Sequence, residues 1–221
     1  LTEAGVGVVS GAEVSDVIAD IERSVQEADE YLRRLDAARE EAVKVSRDVI
    51  RYSGFSITYL HQGDFNKASE ALGECERLVR RLIETTSPYP ELLHSGLVYN
   101  AVSEYVEAKV FFSLITRAKV PSFKELGVDP VPYLQGLADA VGELRRHALD
   151  SVAKENLEEA WRALAIMETI YNALKGLDYP DSVLPNVRHK VDVARALIDS
   201  TKALLVDVQS RERLMKSMGK A

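Results

Sequence analysis

Two glutamates stand in an otherwise apolar helical stretch, Leu97-Val-Tyr-Asn-Ala-Val-Ser-Glu-Tyr-Val-Glu-Ala-Lys-Val-Phe-Phe112. Glu104 falls in line with Leu97, Ala101, Ala108, Phe111 and Ile115 at steps of three and four, the register of a buried helical stripe. Glu107 lies one turn on and flanks the same face. A carboxylate placed there loses its hydration, which is costly unless a cation or a hydrogen-bond donor meets it. Asp139 and Glu143 form a second acidic pair on a later helical stretch. Brought together, the four carboxylates can hold a divalent cation. Hard ions such as Mg²⁺, or Mn²⁺ in its place, take oxygen ligands and keep waters that leave room for a phosphate. In phosphodiester cleavage the ion polarises the phosphoryl oxygen and activates the attacking water. The competing arrangement is a structural network in which these acids pair with arginines such as Arg145 and Arg146.

The helix that carries the second pair has two faces. Leu134, Leu137, Val141, Leu144 and Ala148 form an apolar stripe, and Gly136, Asp139, Gly142, Glu143 and Arg146 form a small and acidic one beside it. A glycine inside a helix costs about 1 kcal/mol relative to alanine. Two of them bracketing an aspartate imply a close approach to the backbone, by another helix or by a ligand. His147 is one turn beyond Glu143, which makes a Glu-x-x-x-His ligand pair conceivable, although a lone histidine at a helix flank is more often structural. His61, His94 and His189 have no comparable partners, and His61 sits at an expected helix end. Lys44, Arg47 and Arg51 line one face of the first helix and are candidates for contact with RNA phosphates, against the plainer reading of a solvated or inter-subunit surface. No Gly-x-x-x-x-Gly-Lys loop, Gly-x-Ser-x-Gly elbow or zinc-type Cys/His cluster occurs. Cys75, the single cysteine, lies among acidic neighbours that would raise its pKa, and it fits a reducing, cytoplasmic setting.

The elements that position these residues read as helices nearly throughout. From Ser15 to His61, apolar or small residues recur at Ile18, Ile21, Val25, Ala28, Leu32, Leu35, Ala38, Ala42, Val45 and Val49, continuing through Tyr52, Ser56 and Tyr59. This predicts one helix of about 65–70 Å, longer than a compact domain can cover, so part of its stripe is expected to pack on another subunit. Gly63 stops it and Asp64 caps the next, Phe65 to Glu84. Thr86-Ser-Pro-Tyr-Pro90 is a break. Further helices are expected at Glu91–Arg117, Val131–Val152 (started by Asp129-Pro130), Leu157–Leu174, and from Pro185 to near Glu212, with one short helix between Pro121 and Pro130. No segment alternates as a strand. The 221 residues carry a net charge of −7, so indiscriminate nucleic-acid binding over the whole surface is disfavoured while a local basic groove is not. No apolar run reaches the roughly 20 residues that span a bilayer, and no secretory signal is expected.

Glu104-Tyr-Val-Glu107-Ala108 and Tyr133-Leu134, with Gly136-Leu-Ala-Asp139-Ala-Val-Gly142-Glu143-Leu144 followed by Arg146 and Ser151-Val152, resemble the translin family, and in particular its TRAX (translin-associated factor X) branch. The similarity spans roughly Arg47 to Leu205 and includes the Asp48–Asp64 stretch with Leu60-His61. The resemblance implies an all-α fold of about seven helices in a translin-like bundle, assembled into a closed octameric shell. TRAX-type subunits supply an endoribonuclease that cuts single-stranded RNA with Mg²⁺. The family's catalytic carboxylates would fall on Glu104, Glu107 and Asp139, with Glu143 completing the metal environment. All four acids are present, which favours an active subunit, and one chain type implies a homo-oligomer. Two departures stand out. The loop between the two acid-bearing helices is short compared with TRAX, and His147 replaces an apolar residue, which counts against a ligand role.

The sequence therefore predicts an N-terminal extension at 1–14, a single all-α domain at 15–212 and a C-terminal tail at 213–221. The expected activity is metal-dependent cleavage of single-stranded RNA inside a homo-oligomeric shell. Glu104, Glu107, Asp139 and Glu143 would serve as metal and catalytic groups, and Lys44, Arg47, Arg51 and Arg146 as RNA contacts, Arg146 also stabilising developing negative charge. The alternatives are a non-catalytic shell that binds RNA or single-stranded DNA, and an all-α nucleotide pyrophosphohydrolase, which also sets Glu-x-x-Glu on one helix.

Overall fold

The structure is a computed structural model that describes residues 11–218, with side chains for 14–217. The outer parts of the expected extension and tail, residues 1–10 and 219–221, lie outside the described residues. Among the described residues eight helices follow in order: α1 Gly11–Gln62, α2 Phe65–Thr86, α3 Pro90–Leu93, α4 Gly96–Ile115, α5 Phe123–Leu126, α6 Pro130–Ala153, α7 Leu157–Leu174 and α8 Val187–Met218. No strand occurs among the described residues. The described residues fall into two compact units, divided between Glu41 and Ala42.

The stops and starts obey local chemistry. Gly63 takes a φ of 78°, which only glycine adopts freely, and ends α1. Asp64 then accepts a hydrogen bond from the Lys67 amide and starts α2. Asp129 caps α6 at the Val131 amide ahead of Pro130, and Asn156 caps α7 at the Glu159 amide. The stretch expected as one helix from Glu91 to Arg117 is two. At Ser95 the backbone turns extended (φ −74°, ψ 156°), and its hydroxyl donates to the Leu92 carbonyl at 2.6 Å, closing α3 before α4 begins.

In the second unit, α4 is the centre. It is apolar on every side, with Val98, Ala101, Val102, Tyr105, Val106, Ala108, Val110 and Phe111 all buried, which is the pattern of a helix surrounded by others. It packs against α2 and α6, and α6 packs in turn against α7 and α8. The part of α1 from Ala42 onward buries Ala42, Val45, Val49, Ile57 and Leu60. Its buried Ser56 donates to the Ala68 carbonyl of α2 at 3.0 Å. Gly136 sets the spacing of α4 and α6, because a Cβ there would collide with the Ser103 carbonyl, the Val106 side chain and the Glu107 amide. The close approach inferred from the α6 glycines is thus a helix at Gly136. At Gly142 nothing lies within 4 Å of an added Cβ, so that half of the inference does not hold.

In the first unit, α1 is helical from Gly11, and Val14, Val17, Ile18, Ile21, Val25 and Leu32 are all exposed large apolar residues.

Candidate active site

The Gly136 contact brings the two acidic pairs together. Glu104 and Glu107 project from α4 and Asp139 and Glu143 from α6, and all four are within electrostatic reach of one another. Glu107 responds most. Burial, reinforced by the charges of Asp139, Glu104 and Glu143, pushes its carboxyl from an ordinary 4.5 up to about 8, against a smaller opposing pull from Lys190. Glu104 is raised for the same reasons, with burial first and Asp139 next. Neither glutamate makes a hydrogen bond or an ion pair among the described residues. The apolar helix α4 has carried two carboxyl groups into a setting that favours their neutral form in the absence of added positive charge.

The other two acids have partners on helices that local spacing did not connect to them. Lys190 of α8 reaches both carboxylate oxygens of Asp139 at 2.6 Å, an ion pair with less than a third of either side chain exposed. His61, at the end of α1, places Nε2 2.6 Å from Glu143 Oε2 and is 5 % exposed. The ring is seated 5.1 Å from the Phe111 ring, and its Nδ1 lies 3.2 Å from Asp150 without completing a hydrogen bond.

These contacts correct several expectations. His61 does have a partner, and it is one of the four acids. His147 does not pair with Glu143: its Nε2 contacts Glu159 at 3.0 Å, and Arg162 donates to the same carboxylate, holding Glu159 down at about 2. The arginine network expected as the structural alternative forms only in part. Arg145 Nε is buried with no hydrogen-bond partner, and Arg146 only approaches Glu143, at 3.8 Å, from a half-exposed position. The groups in closest contact with the acids are a lysine and a histidine. Cys75 is held up at about 12, but burial is the main cause and the acidic neighbours contribute little. Its Sγ lies 3.2 Å from Ser53 Oγ.

The donor set suits a hard divalent cation. Four carboxylates, one lifted to about 8, would be relieved by added positive charge, and oxygen is the ligand such ions prefer. As the side chains stand, no three acidic, histidine or cysteine residues among the described residues converge into a metal cage, and Lys190 occupies Asp139. Glu104, Glu107 and Asp139 are the residues that would hold an ion, with Asp139 exchanging its lysine. Glu143 is fixed by His61 at the edge of the cluster.

Lys190 also lines an open groove of about 720 Å³, together with His94, Tyr99, Asn100, Gln135 and His189. Tyr99 Oη lies 2.9 Å from His94 Nδ1, and Gln135 donates to the Pro185 carbonyl at 2.8 Å. These polar and aromatic groups come from α3–α4, α6 and α8 and went unnoticed in sequence, because no local spacing joins them. Lys44, Arg47 and Arg51 are all exposed on α1, and Arg51 is paired with Asp48 at 2.9 Å.

A helical bundle with paired acids on two central helices defines the class of protein. Residues 37–208 match the Translin family, and the chain belongs to that family. It is 32% identical over 192 residues to an uncharacterised protein of Methanocaldococcus jannaschii, covering 84% of this chain and 85% of that one. Among solved structures it is similar to AfC3PO in complex with duplex RNA, at 34% identity and a TM-score of 0.79, covering 85% of this chain and 97% of that one. It is also similar to apo-NeC3PO, at 26% identity and a TM-score of 0.76, covering 83% and 96%. No helix among the described residues is long and apolar enough to cross a membrane.

Proposed function

We propose that this translin-family chain is a TRAX-like, Mg²⁺-dependent endoribonuclease that cleaves single-stranded RNA within a closed homo-octameric, cytoplasmic shell. The observation that carries this reading is Glu107: a half-buried carboxyl raised to about 8 by burial and three neighbouring acids is a site prepared for positive charge, and perturbed acids of this kind cluster where chemistry is done. A bound divalent ion would neutralise the cluster and polarise a phosphoryl oxygen. Glu104, Glu107 and Asp139 would hold that ion. His61 orients Glu143 through the 2.6 Å hydrogen bond, leaving its other oxygen to position a water. Lys190, once displaced from Asp139, faces the groove with Nζ available to a phosphate, and Arg146 adds charge from the exposed side.

A binding shell without catalysis has its own support. Lys190 and His61 already satisfy two of the four acids, and a neutral Glu107 would leave a stable network with no metal. In keeping with either reading, AfC3PO has been solved with duplex RNA, and the present chain is expected to bind RNA as well.

The deciding experiment incubates labelled single-stranded RNA, duplex RNA and nucleoside triphosphates with the protein, in Mg²⁺, in Mn²⁺ and in excess EDTA, beside Glu107→Gln and Asp139→Asn. Metal-dependent RNA cleavage lost in both variants, with folding and assembly intact, supports the nuclease. RNA binding without cleavage in any metal supports the binding shell, and hydrolysis of triphosphates alone supports a pyrophosphohydrolase.

A further inference from the structure

The first unit carries a feature that lies ahead of the stretch matched to the family. The family match begins at residue 37. Residues 14–36 nevertheless form a regular part of α1. Val14, Ile18, Ile21, Val25, Ala28, Leu32 and Leu35 follow one another at alternating steps of four and three. That is a strict heptad stripe, with Ile18, Val25 and Leu32 at a and Val14, Ile21, Ala28 and Leu35 at d. Ile18, Ile21, Val25 and Leu32 are each more than half exposed, so the stripe is a seam without a cover. A seam sustained over three heptads is the pattern of a coiled coil rather than of a helix facing a globular core.

The flanking residues choose the partner and its direction. Three of the four e positions are acidic, Glu22, Asp29 and Asp36 beside Ser15, while the g positions are Val17, Ser24 and Tyr31. In an antiparallel pair of identical helices e faces e, which would set these acids against one another. In a parallel pair each g faces the e five residues further along the partner, so Val17 meets Glu22, Ser24 meets Asp29 and Tyr31 meets Asp36, and no like charges oppose. The exposed Val17 widens the apolar seam on that side. Ile18 and Val25 at a are β-branched, as in two-stranded coils, whereas d carries leucine only at Leu35. Asp20 and Arg23 pair on the outer face, while Asp29 at e pairs with Arg33 at b in the same helix.

We propose that residues 14–35 form a parallel, in-register, two-stranded coiled coil with the same segment of a second copy of this chain, an inter-subunit contact additional to those of the translin domain. The test uses the full-length chain with single cysteines at the seam, Ile21→Cys and Ala28→Cys made separately. The native Cys75 is fully buried and does not compete. Under mild oxidation each variant should link to its own kind, read on a non-reducing gel as a disulfide-bonded dimer. An antiparallel pair can set at most one position opposite itself, so linking at both positions requires the parallel register. Arg23→Cys, at the outer f position, should give at least tenfold less dimer. Adding Ile18→Glu and Val25→Glu to Ala28→Cys should abolish the link, while circular dichroism shows that the rest of the chain remains folded. Linking at only one seam position, equal linking at Arg23→Cys, or links that survive the glutamates would each overturn the proposal. So would a stripe that links to nothing, which is the outcome if it folds onto its own chain or is covered by a different protein.

Discussion

Glu107 makes opposite demands on stability and on the proposed metal-dependent chemistry. Its pKa in the folded chain, about 8, lies above its ordinary 4.5, so folding favours the protonated form. The stability that goes with it is complete below about 4.5 and is lost as pH rises through 8. Glu107→Gln removes that dependence. In EDTA at pH 8 it should stabilise the protein by roughly 1–3 kcal/mol, or about 3–10 °C in Tm, with no gain at pH 4.5. The same substitution should cut RNA cleavage by at least ~100-fold. Thermal melts across pH, with and without Mg²⁺, read the first effect. An unchanged Tm at pH 8 would show that Glu107 is not held in the way described. Lys190 is the counterpart. Lys190→Met leaves Asp139 without its cation and should destabilise the metal-free protein by roughly 1 kcal/mol, since the pair is partly exposed. Saturating Mg²⁺ should restore most of that loss if Asp139 is a ligand, and none of it if Asp139 only ties α6 to α8.

At the scale of elements, the site depends on how closely α4 and α6 approach. Gly136→Ala places a methyl group against the Ser103 carbonyl and the Glu107 amide, both backbone atoms that cannot swing aside. Overpacking of this kind costs roughly 1–3 kcal/mol, and it moves Asp139 away from Glu107. Gly142→Ala is the matched control six residues on in the same helix. With open space around it, it should be neutral or stabilise by up to ~1 kcal/mol through helix propensity. Denaturant unfolding of the two variants separates them, and an equal loss in both would refute the packing argument. The end of α1 is the other positioning element. Gly63 closes the helix at the point where His61 reaches Glu143, so the histidine's place at a helix terminus is what gives it its role.

At the scale of the whole molecule, net negative charge and RNA binding are compatible only if the basic groups are concentrated. Lys44, Arg47 and Arg51 are exposed at helical spacing on α1. Replacing all three with alanine should weaken single-stranded RNA binding and reduce the slope of log K against log salt by about 2, given roughly 0.7 per phosphate contact. Filter binding across a salt series measures this. An unchanged slope would assign the stripe to solvent or to subunit contacts and leave Lys190 and its groove as the basic surface that matters.

How much of this could be read from sequence follows from the range of the interactions involved. Helix content, the Gly63-Asp64 and Asp129-Pro130 boundaries and the four acids were legible because capping, glycine conformation and the 3.6-residue repeat act over a few residues. The split between α3 and α4 was not, since it rests on one serine's local hydrogen bond inside an apolar run. Only the tertiary structure decided the partners. Spacing suggested Arg145, Arg146 and His147 because they are near Glu143 in the chain. The groups that meet the acids are Lys190, 51 residues from Asp139, and His61, 82 residues from Glu143. The sequence by itself determined that this chain would fold as helices bearing two acidic pairs, because periodicity and charge are properties of each segment. The packing of α4 on α6 at Gly136 and the return of α1 and α8 to the same place decided that the pairs form one cluster, which charges it contains and how far Glu107 is driven from its ordinary pKa, because burial and Coulomb interaction depend on distance in space and not along the chain.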